Sequence, residues 1–565
     1  MTNLAEPRDY RSPKFLLIPV LLVSVALGLC NICPGVVGNY HDDGIYVVTA
    51  KAMATGQGYR LISLPNPWPQ TKYPVLYPFL LSLIWRVYPH FPDNVLPMKL
   101  LSLASALGFL LISYRFLTRF HYTAPAMAIG IIAMAAWWPW TVYFSSMVLS
   151  EMPYAFLSVL ALYVIEGALR RPTERSRNLW ITAAATLSAL AYLTRTVGLL
   201  LIVGAIIFLL WHQQWRRSLR FAFVSLIIIT PWVAWTYLVA PPQGLSPMEL
   251  YYVSYTHWVS DYLGGYLSTA TLNVFCKNLF YCLSGIIALS NPVFVYVPLP
   301  VNFTVHAGIM AALVMAGLGL GALLALALLR YFRYQLRLLD IYMALYMASV
   351  LVWPWSPLRF LVPVAPFLLL YYSRLMELVT ERVIARLAGW RWQRLARALV
   401  IGFAASGLVL NLAFSVVIVR ETMTYGFQLP PTAKSPGGTW DSSSGAAMRW
   451  IAAHTPAEAT LSGVFDPMVY LYTGRHAVRG FAINPVESFY AATPSRRSIS
   501  EPEEVVDNWR RFNVSYVVLI PDAEPLLSRY LKNMLVRHPQ WLSLSYMSPT
   551  ESVIIFQIHQ AALRR

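Results

Sequence analysis

Eleven runs of roughly 20 predominantly apolar residues divide this chain, beginning near Phe15, Leu96, Ala124, Met152, Leu179, Thr196, Leu219, Val305, Leu338, Arg359 and Ala398. A run of that length is what a helix needs to cross the hydrocarbon core of a bilayer, and a helix satisfies its own backbone polar groups within one segment. The expectation is a polytopic α-helical membrane protein with about 11 transmembrane helices. Composition agrees: 12% of the residues are charged and 57% hydrophobic, where an ordinary soluble domain carries roughly 25% charged residues. The first run, Phe15 to Val37, follows Arg8, Arg11 and Lys14. It is too long for a signal-peptide core and shows no small-residue cleavage site, so it reads as a retained helix. The fifth run is short, and Phe275 to Val297 reads as an additional re-entrant or interfacial piece.

Charge sets the expected orientation. The loops at 1–14, 115–123, 170–178, 213–220, 330–337 and 374–397 hold 21 Lys and Arg, whereas the longer loops at 38–95 and 241–304 hold 5. By the positive-inside rule the amino terminus is cytoplasmic and the sparsely charged loops face outward. Residues 1–419 form the expected membrane unit, including the outer loop 38–95. Residues 420–565, with 14 Lys/Arg and 12 Asp/Glu, read as a small α+β domain on the outer side. There Trp440 to Ala453 reads as an amphipathic helix capped by Asp441 or a neighbouring serine. Val514 to Ile520 and Val553 to Ile558 read as strands. The formal charge of +18 does not point to nucleic acid, because positive-inside loops account for it; the basic run Arg386 to Arg397 with Trp390 and Trp392 suits an anionic inner leaflet.

An ionisable side chain at membrane depth is costly and marks a functional candidate. In the first outer loop Tyr40-His41-Asp42-Asp43-Gly44-Ile45-Tyr46 places two acids at the start of a short helix, where they can cap its amide groups. Farther along, Gln70-Thr71-Lys72-Tyr73-Pro74 precedes an apolar segment ending at Tyr88; Lys72 can snorkel or hold a lipid phosphate. Glu151, Arg195 and Arg359 then stand at outer helix ends, and both arginines run against the inside bias. They pair structurally, for instance Glu151 with Arg195, or they hold an anionic ligand, since arginine suits phosphate oxygens.

Other candidates are weaker. Cys30 and Cys33 lie inside an apolar run, where packing outweighs redox chemistry. Cys276 and Cys282 face the oxidising side, where a disulfide between them is open. His41, His257 and His306 show no metal-ligand spacing. Tyr251 to Trp258 reads as an interfacial aromatic belt, with stacking on a sugar as the alternative. No Walker loop or dinucleotide fingerprint occurs.

In the order of these motifs the chain resembles the GT-C class of integral membrane glycosyltransferases, in particular the family of protein O-mannosyltransferases and the lipid A aminoarabinose transferase. The resemblance spans most of the 565 residues. It is carried by the acidic pair Asp42 and Asp43, the Tyr46 to Gly58 stretch, Lys72 with Pro74 and Pro78, Ser150-Glu151, Thr194-Arg195, Arg359 to Pro366, and Tyr470 to Arg475. It implies an inverting transfer of a sugar from a polyprenyl monophosphate carrier to a glycolipid, cell-wall glycan or protein acceptor at the outer face of the plasma membrane. The resemblance assigns the base to Asp42 or Asp43, the latter standing where many relatives carry glutamate. It assigns the donor phosphate to Lys72, Arg359 and Arg195, and substrate orientation to Glu151, Tyr46 and Tyr73. Because the leaving group is a monophosphate, no cofactor is expected, and a divalent ion at the carboxylates is not required.

Two other classes compete. A lipid or glycan transporter would show inverted repeats and polar sites near the bilayer midplane, and a non-catalytic scaffold would tolerate loss of the acidic pair. Convergence of the acid, Lys72, Glu151 and Arg359 on one cavity favours the enzyme.

Overall fold

The computed structural model describes residues 14–239, 245, 247–253, 269–292, 337–386, 389–428, 430–431, 438–480, 502–521 and 525–563. The expected span from Val305, the aromatic segment beyond Val253, and His257 and His306 lie outside these residues.

Helix α1 (Leu17–Cys30) leads into a loop and then α2 (Asp42–Ala54). A two-residue antiparallel pair, β1 (Arg60–Leu61) with β2 (Trp68–Pro69), precedes α3 (Leu76–Val87). Next come α4 (Val95–Arg119), α5 (Pro125–Ala136) and α6 (Pro139–Ser145). The α5–α6 pair is bent by 66°. Pro139 explains the bend: it lacks an N–H and forces Trp138 into extended backbone, φ −64° and ψ 129°. The chain continues through α7 (Glu151–Leu169), α8 (Glu174–Thr194), α9 (Leu199–Trp211) and α10 (Trp215–Leu238). It resumes in α11 (Pro247–Val253), α12 (Thr269–Ser290), α13 (Leu338–Val352), α14 (Leu358–Arg386) and α15 (Trp390–Tyr425).

Among the described residues, six helices are long and apolar enough to cross a membrane, namely α4, α7, α10, α12, α14 and α15, and the bent α5–α6 pair makes a seventh if taken as one broken span. The sequence expectation of eleven exceeds this because α1, α9 and α13 are apolar but shorter. The 14 residues of α1 reach about 21 Å, less than the roughly 30 Å of a hydrocarbon core. Helix α8 has 21 residues but opens on Glu174-Arg175-Ser176-Arg177, which shortens its apolar part. Helix α12 occupies the run from Phe275 as a continuous helix. Asn278 on it donates to the carbonyls of Val350 and Trp353 at the end of α13, at 3.1 and 2.7 Å. The last turn of α12 meets Gly407 near the middle of α15, where a Cβ would lie 1.9 Å from the Ser290 carbonyl oxygen. Small residues allow this kind of close backbone approach between membrane helices.

Residues after α15 build a five-stranded sheet in the order β4-β3-β5-β7-β6. Its strands are β3 (Thr460–Gly463), β4 (Ala477–Val478), β5 (Val514–Leu519), β6 (Leu542–Met547) and β7 (Ile554–Ile558). Strand β3 runs parallel to β4 and β5, while β7 pairs antiparallel with β5 and β6. Strands β5 and β7 fall where β-branched and aromatic residues predict them, burying Val517, Val518, Ile555 and Phe556. Helices α16 (Ser444–His454), α17 (Asp466–Thr473), α18 (Pro502–Arg511) and α19 (Pro525–Arg537) accompany the sheet. Of the caps expected at Asp441 or a neighbouring serine, Asp441 is corrected: Ser443 holds the N-cap position of α16 without a side-chain hydrogen bond, and Thr439 caps the 3-10 turn Trp440–Ser442 that precedes it. Asp441 instead pairs with Arg449 at 3.0 Å.

Candidate active site

Four helix ends, far apart in sequence, meet at one end of the bundle. Helix α2 begins at Asp42, α7 at Glu151, and α14 carries Arg359 in its first turn. Arg195 follows α8 in extended backbone, φ −148° and ψ 133°, before a 3-10 turn. The Arg359 guanidinium bridges two acids: Nη1 donates to Asp42 Oδ2 at 2.7 Å, and Nε donates to Glu151 Oε1. Arg195 Nη1 donates to the same Glu151 oxygen at 2.7 Å and to Ser150 Oγ at 3.1 Å. The other Asp42 oxygen accepts from the Tyr73 hydroxyl at 2.5 Å. Tyr46, packed edge-on against Tyr73, shares a hydrogen bond of 3.0 Å with Ser150 Oγ. Glu151 is 1% exposed; a buried carboxylate persists only when paired, and here two cations pair it.

This network forms part of the wall of a cavity of about 650 Å³. Asp42, Lys72, Tyr73, Arg195, Arg359 and Arg479 give the cavity polar walls, and Trp140, Leu199, Leu200, Trp353 and Phe360 give it apolar ones. Lys72 is held beside Asp42's end of the cavity by α11: its Nζ donates to the Tyr251 carbonyl at 2.8 Å and lies 3.7 Å from the Tyr251 ring centroid. The Arg479 guanidinium approaches the same ring to 4.0 Å. Four cationic side chains and one carboxylate therefore line a single concave surface, an arrangement suited to an anionic group and a proton acceptor placed side by side.

The two acids of the pair separate. Asp43 does not line the cavity: it is 1% exposed, and its oxygens accept from the backbone N–H groups of Gly38 at 2.7 Å and Tyr40 at 3.0 Å. It secures the loop, and one backbone turn around the helix start directs Asp42 into the cavity instead. Glu151, expected to orient substrate, lies behind Arg195 and Arg359 and holds them in place. Burial by itself would raise the Asp42 carboxyl, but the Arg359 guanidinium, the Tyr73 hydrogen bond and Lys72 hold it at about 2. For Asp43 burial wins over the amide of Gly38 and the charge of Lys99, and its carboxyl is pushed up to about 6. Burial pushes the Lys72 ammonium down to about 7, against the attraction of Asp42.

Sequence reasoning did not single out Arg479 or Asp466. Asp466 opens α17 and accepts from His41, 425 residues away in sequence. Asp466-Pro467 reads locally as an ordinary helix start, and only tertiary structure reveals the partner. All four cysteines are free. Among the described residues no group of three or more His, Cys, Asp or Glu side chains is placed to hold a metal ion.

No protein-family model matches the sequence, and no curated protein matches it. Solved structures do. ArnT from Cupriavidus metallidurans bound to undecaprenyl phosphate superposes with a TM-score of 0.54 at 16% identity, over 97% of this chain and 98% of that one. The Archaeoglobus fulgidus oligosaccharyltransferase tethered to an acceptor peptide gives a TM-score of 0.56 at 14% identity, over 98% of this chain and 74% of that one. The archaeal oligosaccharyltransferase AglB from Archaeoglobus fulgidus, in complex with an inhibitory peptide and a dolichol-phosphate, gives 0.53 at 14% identity, over 96% and 73%. The chain has the fold of the GT-C glycosyltransferases, a multi-pass membrane architecture.

Proposed function

We propose that the protein is an inverting glycosyltransferase that moves a sugar from a polyprenyl-phosphate carrier to a hydroxyl of a glycolipid, cell-wall glycan or protein. The observation that carries this reading is the Asp42 carboxylate sharing one cavity with Lys72, Arg195, Arg359 and Arg479. The fold supports it, as do the carriers bound by its neighbours, undecaprenyl phosphate in ArnT and a dolichol-phosphate in AglB. In the reaction an acceptor oxygen bonds to the anomeric carbon from the face opposite the phosphate. The bond from that carbon to the phosphate oxygen breaks, its electron pair leaves on the phosphate, and the acceptor proton passes to Asp42. The cations offset the charge that builds on the leaving phosphate, so no cofactor is called for.

A carboxyl held at about 2 is ionised but weakly basic. When a phosphate occupies the cavity, Arg359 and Lys72 have a second anion to serve, and their hold on Asp42 relaxes. Its pKa then rises toward the working pH, where general bases are most effective. The donor thereby strengthens the base that its own transfer requires.

We take the α5–α6 pair as one span and α1, α8, α9 and α13 as further crossings, and count with them the run from Val305 on its sequence alone, since it lies outside the described residues. Helix α12 dips in and ends midway along α15, which gives eleven spans. With the amino terminus cytoplasmic, the cavity and the sheet face outward from the plasma membrane.

The test is a mass-spectrometric comparison of envelope lipids and glycans with and without the protein, followed by transfer assays in which an envelope lipid extract supplies donor and acceptor. Asp42→Asn keeps the side chain's size and should lower transfer at least ~10²-fold while remaining folded and membrane-inserted. Near-normal turnover in that variant would falsify the assignment.

A further inference from the structure

The loop that delivers Asp42 is gripped from outside the membrane helices, by one short element of the sheet region. Helix α17 touches it along its length. Tyr472 donates to the Gly35 carbonyl at 2.5 Å and accepts from the Val37 N–H at 3.1 Å. Met468 lies against Gly38, where an added Cβ would sit 2.6 Å from the Met468 Cβ, and Pro467 lies against Gly44, where the corresponding distance is 2.8 Å. At both places only a glycine lets the two backbones approach so closely. Gly38 also has φ +98°, a conformation that side chains with a Cβ seldom adopt.

The last contact falls on the residue before the base. His41 has φ 66°, uncommon for a residue other than glycine and sustained only where surroundings enforce it. Its Nε2 lies 3.0 Å from Asp466 Oδ1. The second Asp466 oxygen accepts from the Tyr252 hydroxyl at 2.8 Å, which in turn accepts from the Arg479 backbone N–H at 2.8 Å. Tyr251 closes the other side of the ring, its hydroxyl 3.4 Å from His41 Nδ1. With Nε2–H donated to Asp466, Nδ1 is left to accept from Tyr251, so both ring nitrogens are used. Asp466 is fully buried and His41 6% exposed. This chain of contacts fixes the backbone at His41, and the next residue's carboxylate must reach Arg359 and Tyr73.

We propose that Asp466 is a positioning residue: by holding His41 in its strained backbone conformation, it sets the place of the Asp42 carboxylate in the cavity. The sheet region is then a working part of the site. This rests on Asp42 being the base. A displacement near 1 Å at a reacting group costs on the order of 10²-fold in rate, whereas an Asp42 carboxylate moved off Arg359 leaves that guanidinium no less able to hold a phosphate.

The experiment measures initial transfer rate per folded enzyme in the envelope-extract assay, together with binding of undecaprenyl phosphate to the full chain in nanodiscs. Asp466→Asn should lower the rate about 10- to 100-fold without weakening undecaprenyl phosphate binding more than about twofold. His41→Gln should do the same, and the double variant should be no slower than the slower single one, because both break one contact. If Asp466→Asn does not fold, His41→Gln reads that contact from its other end. An unchanged rate with only a lower melting temperature, or rate losses that multiply in the double variant, overturns the proposal. Asp42→Asn runs alongside: full activity there defeats the base assignment itself, while an inactive Asp42→Asn beside a fully active Asp466→Asn defeats the positioning role alone.

Discussion

Asp42 and Asp43 are adjacent and chemically identical, yet the fold gives them opposite surroundings. Asp43 spends both oxygens on backbone N–H groups. Asp43→Asn replaces one acceptor with an NH2 group facing a buried donor, so stability should fall by about 1–3 kcal/mol, seen as a lower thermal midpoint, while transfer per folded molecule stays within a few-fold of the parent. Lys72 gives a pH signature. Its ammonium, pushed down to about 7 by burial, carries charge below that value and loses it as pH rises through it. Undecaprenyl phosphate affinity should therefore weaken above about pH 7, and Lys72→Arg, charged throughout, should flatten the profile; identical profiles for the two proteins would discount Lys72 as a phosphate ligand. The sequence marked these residues because charge in an apolar chain is conspicuous. It offered the pairing of Glu151 with Arg195, which the structure shows, but could not say which acid faces the cavity, since a single turn of α2 decides that, nor that Glu151 also holds Arg359.

At the scale of elements, helices were legible and their junctions were not. Length and apolarity reveal α4, α7, α10 and α15 directly, whereas the run from Ala124 reads as one span and the structure breaks it at Pro139. Hidden from a linear reading is which helix ends converge: Asp42 and Arg359 are 317 residues apart, and nothing local couples them. The same holds for close approaches. Gly407 is one small residue among many in α15, but its Cβ position falls 1.9 Å from a backbone oxygen of α12. Gly407→Ala should force the two helices apart and lower stability by about 1–3 kcal/mol, the usual cost of overpacking. Thermal unfolding in detergent measures it, and an unchanged midpoint would show that the contact is not tight. Strand β6 escaped notice because its alternating Leu-Ser-Leu-Ser pattern is short and polar beside the membrane runs.

For the whole molecule the proposed orientation rests on charge asymmetry and is open to direct measurement. In a cysteine-free background a membrane-impermeant maleimide should label Gln57→Cys, in the exposed turn after α2, from outside intact cells. Arg175→Cys, exposed at the start of α8, should react only after permeabilisation; the reverse pattern would put the cavity on the cytoplasmic side. The fold class was legible because lipid leaves few solutions for a chain this apolar. The dependence of the membrane site on α17 was not, because it joins segments separated by more than 400 residues.

The bridge from Arg359 to both Asp42 and Glu151 also bears on how a catalytic cycle ends. In the proposed reaction the carrier keeps its phosphate once the sugar has gone, and it must compete for that guanidinium with two anions that never leave the protein. Their presence favours its departure, so stripped lipid should be a weak product inhibitor, and losing the Asp42 carboxylate, which faces the cavity, should lengthen its stay.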